Sequence, residues 1–129
     1  MATIKRQVVL DKHPDEVWKE LADFSAAGRL FAGALTGCET RGDRRTITLA
    51  NGLRIDQRLV TLDPHERRLV YTNLNGFFTH HIASMQILPK GNGCTFVWIS
   101  DFLPNEVAEK FAPLVDASCA AFQRSFGAD

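Results

Sequence analysis

Residues 94–126 read CTFVWISDFLPNEVAEKFAPLVDASCAAFQRSF, and this stretch decides the fold. Its first nine residues are rich in β-branched and aromatic side chains, which predicts a strand over 94–102. Pro104 ends that strand, Asn105 is suited to cap a helix, and apolar residues then recur at helical spacing as far as Phe126. A strand followed at once by a long amphipathic helix indicates a sheet that covers its apolar face with this helix.

Turn signals divide the preceding part of the chain into short strands. Pairs such as Asn51-Gly52 and Asn75-Gly76 separate five runs that we predict as strands, namely 36–41, 44–49, 53–62, 68–74 and 80–88. Residues 3–10 predict a first strand, and two short helices follow it before residue 35. The order predicts an α+β fold, in which a seven-stranded, curved antiparallel sheet wraps around the long C-terminal helix.

Length and composition restrict the class of protein. The chain has 129 residues, 45% hydrophobic and 23% charged, which predicts one domain over residues 1–129. Fifteen basic residues balance fifteen acidic ones, so the basic excess of a nucleic-acid binder is missing. Apolar runs are shorter than the ~20 residues that span a bilayer, and charges interrupt the N-terminus, so we expect no membrane span and a cytoplasmic location. Three widely spaced cysteines favour neither a disulfide framework nor a zinc ribbon.

Alternation along the strands assigns side chains to two faces of the sheet. We place the bulkier aromatic set inward, and the turn lengths then align the inward residues of neighbouring strands. The resulting pairs are His81 with Phe102, Ala83 with Ser100, Met85 with Trp98, Asn73 with His81, Tyr71 with Ala83, Leu69 with Met85, Gln57 with Asn73, and Leu59 with Tyr71. For residues 44–49 the alternation leaves the inward face open.

This register predicts a polar row across an apolar face. Gln57, Asn73 and His81 form the row, and Tyr71 and Ser100 lie one layer along. Because burying such groups alone costs a few kcal/mol each, they need one another, water or a ligand. An apolar cavity with a few convergent polar groups is typical of a small-molecule site. The predicted ligand contacts are Gln57, Leu59, Tyr71, Asn73, His81, Met85, Phe96, Trp98 and Ser100 on the sheet, and Phe111, Val115, Cys119 and Phe122 on the helix.

The whole chain resembles the polyketide cyclase/dehydrase and lipid-transport superfamily, also called SRPBCC or START-like. The resemblance rests on HPDEVW at 13–18, on residues 57–71, and on residues 89–102 with the long helix after them. It implies the helix-grip fold and a hydrophobic ligand, such as a lipid, a polyketide or an aromatic compound, held beneath the last helix. Many similar members carry Glu where this chain has Gln57 and an aromatic residue where it has His81, so a mechanism that depends on that Glu does not transfer.

Three functions are compatible with these residues. The first is a carrier or sensor of a hydrophobic small molecule, without a cofactor. The second is a cyclase or dehydratase, in which His81 is the acid/base and Tyr71 or Asn73 polarises a carbonyl. The third is a module that binds a partner or a second copy through the pair Phe77-Phe78, which lies in a turn, although we favour this pair as a lid over the cavity. We expect no metal, because His80 and His81 point to opposite faces and are poorly placed to chelate an ion.

Overall fold

A computed structural model describes residues 1–127 and contains seven strands and three helices in that range. The strands are β1 (Ala2–Leu10), β2 (Leu35–Arg41), β3 (Arg44–Leu49), β4 (Arg54–Asp63), β5 (Arg68–Asn73), β6 (His80–Lys90) and β7 (Gly93–Leu103). The helices are α1 (Pro14–Leu21), α2 (Ala27–Leu30) and α3 (Glu106–Gly127), and a 3-10 turn, Phe24–Ala26, precedes α2. The predicted order of elements is confirmed.

The strands form one antiparallel sheet in the order β1-β7-β6-β5-β4-β3-β2. Its register agrees with the prediction: His81 lies opposite Phe102, Met85 opposite Trp98, and Gln57 opposite Asn73. A β-bulge interrupts the β4–β5 pairing between Leu59 and Thr61. The β6–β7 hairpin is longer than predicted, because pairing continues through Pro89 to a two-residue turn.

The N-terminal helices begin where the local chemistry favours it. Pro14 occupies the first helical turn, where its missing N–H costs nothing. The His13 side chain caps α1, and its Nδ1 accepts a hydrogen bond of 3.1 Å from the Asp15 N–H. Val17 and Trp18 are buried on the inner side of this helix. These short helices close one end of the space beneath the sheet.

Helix α3 lies along β1 and covers the concave face of the sheet. Its buried residues face the sheet at helical spacing, and they include Val107, Val115, Cys119 and Phe122. An ion pair between Arg6 on β1 and Asp116 holds the outer side of the helix. Within the part of the chain that the structure describes, no helix is long and apolar enough to cross a membrane.

Candidate ligand-binding site

Three neighbouring strands bring the predicted polar row together on the inner face. The Gln57 side-chain amide donates to Asn73 Oδ1 at 2.9 Å. The Asn73 backbone N–H in turn donates to His81 Nδ1, also at 2.9 Å. Gln57 and His81 are buried, and Asn73 is half-buried. The row therefore satisfies part of its own hydrogen bonding, as buried polar groups require.

Arg45 extends this row by one strand, although it was not among the predicted site residues. It pairs with Gln57 in the β3–β4 register, and its Nε donates to Gln57 Oε1 at 2.7 Å. A second guanidinium nitrogen donates to the Phe24 carbonyl oxygen at 3.0 Å. The guanidinium carbon lies 3.8 Å from the centre of the Phe24 ring and 5.4 Å from that of Tyr71. The cation is thus held between aromatic faces inside the protein.

Burial sets the protonation of the groups around the cavity. It lowers the pKa of Arg45 to about 10, against the opposing influence of Tyr71 and Cys38. It raises the pKa of Tyr71 to about 12, although nearby Arg45 acts in the other direction. At neutral pH the guanidinium therefore stays charged and the phenol keeps its proton.

His81 is neutral at neutral pH. Burial and the charge of His80 lower its pKa to about 4, and Asp101 opposes this shift only in part. Because Nδ1 accepts the Asn73 N–H, the proton of the neutral ring is on Nε2. His81 thus has a hydrogen-bond donor left at Nε2 and no basic nitrogen free to accept a proton.

The low pKa of His81 predicts a pH-dependent stability. Its native pKa lies below the unfolded value of about 6.5, so the unfolded chain takes up a proton first as the pH falls. The contribution of His81 to stability is complete above pH 6.5 and is lost as the pH falls toward 4, by up to about 3 kcal/mol. His81→Gln keeps an acceptor for Asn73 but cannot titrate. Urea unfolding between pH 4.5 and 7 should show a smaller loss of stability in this variant than in the wild type. If the free energy of unfolding falls equally with pH in both proteins, the low pKa of His81 is contradicted.

The polar row opens onto a cavity between the sheet and the first half of α3. Nine predicted ligand contacts line it: Gln57, Tyr71, Asn73, His81, Met85, Trp98, Ser100, Phe111 and Val115. The lining also includes residues that were not predicted: Ala27, Phe31, Leu35, Arg45, Ile47, Leu49, Ile55, Phe102, Leu114 and Ser118. The cavity has a volume of about 60 Å³, which is room for a few water molecules.

Four predicted contacts lie outside the lining: Leu59, Phe96, Cys119 and Phe122. Phe96 and Phe122 stack with their ring centres 4.1 Å apart, and both are fully buried. These rings fill the space beneath the second half of α3 with solid core, where Cys119 is also buried. Leu59 is half-buried and directly precedes the β-bulge of β4. The cavity is therefore shorter than the set of predicted ligand contacts implied.

The Phe77-Phe78 pair packs next to the cavity. Phe78 is buried, and its ring centre lies 5.3 Å from those of both His81 and Phe111. Phe77 is 43% exposed and stacks on Phe111 at 6.1 Å. The turn thus joins β5–β6 to α3 beside the polar row. This position is compatible with the predicted lid, which stays a prediction.

Within residues 1–127, no group of three or more His, Cys, Asp or Glu side chains is placed to hold an ion. His80 is exposed on the outer face and His81 is buried on the inner face, as alternation predicts.

Sheet, helix and cavity together define a helix-grip protein, a class in which a curved antiparallel sheet holds a long C-terminal helix over an internal ligand cavity. The sequence profile of the family "Polyketide cyclase / dehydrase and lipid transport" matches residues 1–128. The chain belongs to this family. A search of curated proteins finds no match.

Solved structures share the fold. XoxI from Bacillus cereus has a TM-score of 0.85 at 20% identity, over 98% of this chain and 96% of that one. A protein from Thermobifida fusca has a TM-score of 0.73 at 27% identity, over 100% and 99% of the two chains. Norcoclaurine synthase from Thalictrum flavum, in complex with dopamine and hydroxybenzaldehyde, has a TM-score of 0.74 at 16% identity, over 95% and 84%. At these identities the likeness to XoxI and to norcoclaurine synthase concerns the fold alone.

Proposed function

We propose that the protein binds a hydrophobic small molecule, such as a lipid, a polyketide or an aromatic compound, in the cavity beneath α3, and acts as its carrier or sensor. The observation that carries the proposal is the cavity itself, which is lined mostly by apolar side chains with its polar groups gathered around Arg45, Gln57 and His81. Such a site binds an apolar body and orients one polar end. Family membership supports a ligand cavity of this kind.

The geometry favours binding over acid/base catalysis by His81. A general base needs a free nitrogen lone pair and a pKa near the working pH. The His81 Nδ1 lone pair already accepts the Asn73 N–H, and burial keeps the ring neutral. The Nε2 proton of a neutral imidazole is a hydrogen-bond donor but a very weak acid. His81 is therefore suited to orient a ligand rather than to transfer protons.

Native mass spectrometry of gently purified protein tests the proposal. We expect a discrete adduct that disappears on denaturation and is recovered in an organic extract. Ser100→Leu places a larger apolar side chain on the cavity floor and should abolish the adduct. Ser84→Leu, on the outer face of β6, is the matched control and should keep it. A bare mass, together with no thermal shift from fatty acids, sterols or aromatic polyketides, would argue against a ligand carrier.

Three further expectations complete the proposal. The protein would act in the cytoplasm, as one ligand-binding domain over residues 1–129. A homodimer through Phe77 is the alternative to a lid. Phe77→Ser separates the two, because only a dimer contact would change the mass measured by light scattering.

A further inference from the structure

We propose that the ligand of this cavity carries a carboxylate group, which pairs with the Arg45 guanidinium at the polar side of the cavity. The inference rests on the proposed function, since it names the chemical class of the same ligand. Two independent observations carry it. One is a buried cation whose protein partners are all uncharged, and the other is a row of polar groups whose acceptors are taken while several donors are left.

Arg45 brings a full positive charge into the protein without a counter-charge. The residue is only 7% exposed. Among the described residues that line the cavity there is no Asp or Glu, and the partners of the guanidinium are an amide oxygen, a backbone carbonyl and two aromatic rings. Burying a charge in this way is costly unless a partner of opposite sign compensates it. A ligand carboxylate would supply that partner.

The hydrogen bonds of the polar row leave donors rather than acceptors. Gln57 Oε1 is taken by Arg45, Asn73 Oδ1 by Gln57, and His81 Nδ1 by the Asn73 N–H. Of the five N–H groups of the guanidinium, two are used and three are left. The neutral His81 ring also keeps its Nε2 proton. A site of this composition fits a ligand group that only accepts hydrogen bonds, as a carboxylate does.

Trp98 adds a donor from the neighbouring side of the cavity. Its side chain lines the cavity and is 8% exposed, and its Nε1–H is the buried side-chain group that finds no acceptor among residues 1–127. The indole N–H lies near the Tyr71 hydroxyl, and this contact lowers the pKa of the phenol as a hydrogen bond does, although its geometry is outside the normal range. Buried N–H groups are rarely left without a good partner. A ligand oxygen at this end of the cavity would become its acceptor once the side chains around the indole nitrogen shift.

The apolar part of the cavity lining indicates what the rest of the ligand is like. Side chains such as Ile47, Met85 and Phe111 present apolar surface beyond the polar row. The volume of about 60 Å³ favours a slim body, and side chains of the lining have to move for any body larger than a few water molecules. We therefore take the ligand to be an amphipathic monocarboxylate, and a straight acyl chain and a single aromatic ring are the slimmest apolar bodies to test.

Calorimetric titration with matched pairs of probes tests this proposal. Octanoate and octanamide represent the straight chain, and 3-phenylpropionate and its amide represent the aromatic body. Truncating one member of a buried, hydrogen-bonded charge pair costs about 2–5 kcal/mol. We therefore expect each carboxylate to bind at least about 30-fold more tightly than its amide, and Arg45→Met to abolish that preference. The carboxylate that binds more tightly indicates whether the natural ligand has a straight acyl chain or an aromatic ring.

A second variant covers the case in which Arg45→Met does not fold. Gln57→Glu changes one atom of the side chain and supplies an internal carboxylate where the 2.7 Å bond to Arg45 now lies. The Asn73 amide can rotate to donate to it. This variant should keep the fold and lose the carboxylate preference, because the guanidinium is already neutralised.

The outcomes separate this inference from the proposed function. If amides bind the wild type as tightly as carboxylates, or if the preference survives in both variants, the carboxylate assignment is overturned and the hydrophobic carrier stands. If neither carboxylates nor amides bind, the carboxylate assignment is overturned, and the adduct sought by native mass spectrometry decides whether the proposed function stands. If acetate binds as tightly as octanoate, the site holds a simple anion, and both proposals are overturned.

Discussion

Replacing Phe122 with alanine is expected to lower the free energy of unfolding by about 3–5 kcal/mol. Phe122 is fully buried, and its ring centre lies 4.1 Å from that of Phe96 and 5.4 Å from that of Phe31. The alanine would leave a void between α3 and β7, because strands paired on both sides cannot close in on it. The free energy gained by burying the ring and the van der Waals contacts of the ring are then lost together.

Urea unfolding followed by circular dichroism measures this loss. Phe77→Ala is the matched control, since it removes the same ring at a position that is 43% exposed, and it should cost less than about 1 kcal/mol. Similar losses in the two variants would mean that Phe122 is not the packing centre beneath α3. The void would also lengthen the cavity toward the C-terminal end of the helix, so longer acyl chains should bind the variant more tightly than the wild type.

The sequence predicted the arrangement of strands well because local rules determine it. Tight turns fix hairpin register, and a period of two then fixes which side chains share a face. His81 therefore lies opposite Phe102, and Gln57 opposite Asn73, as expected. The polar row follows from these local rules without any knowledge of packing.

Arg45 lies at a position where the alternation of the strand and the type of residue disagree. Ile47 and Leu49 alternate with Thr46 and Thr48, so the apolar set of β3 faces inward and carries Arg45 with it. The charge of Arg45 conflicts with that assignment. Conflicts between local pattern and residue type concentrate at functional sites. The signal that identifies Arg45 was therefore the conflict itself.

The extent of the cavity could not be predicted from alternation. Phe96 and Trp98 share one face of β7, yet Trp98 lines the cavity and Phe96 does not. The difference depends on Phe122, whose ring stacks on Phe96 and fills that end of the interior. Periodicity gives the direction of a side chain, whereas the sizes of its partners across the core decide whether space is left.

Replacing Gly93 with alanine should destabilise the protein by about 3 kcal/mol or more, at the upper end of the cost of overpacking. A Cβ at this position would overlap the Leu10 carbonyl oxygen and lie 3.3 Å from the carbonyl carbon. Both are backbone atoms of β1, so no side chain can rotate away. The last pairs of the β1–β7 ladder would have to separate. The sequence around Gly93 is typical of a turn and does not indicate this contact, because close approach of a distant strand leaves no local pattern.

Gly76→Ala is the matched control for this prediction. A Cβ at Gly76 would meet nothing within 4 Å, and its backbone angle suits any residue, so the change should stay within about 0.5 kcal/mol. Thermal unfolding of the two variants, with hydrogen exchange of the β1 amides, measures both the loss and its location. β7 also carries Trp98 and Ser100 into the cavity, so Gly93→Ala should weaken ligand binding as well. A Gly93→Ala protein as stable as Gly76→Ala would mean that β1 is free to move away from β7, and the cavity wall would then be far less rigid than its paired strands indicate.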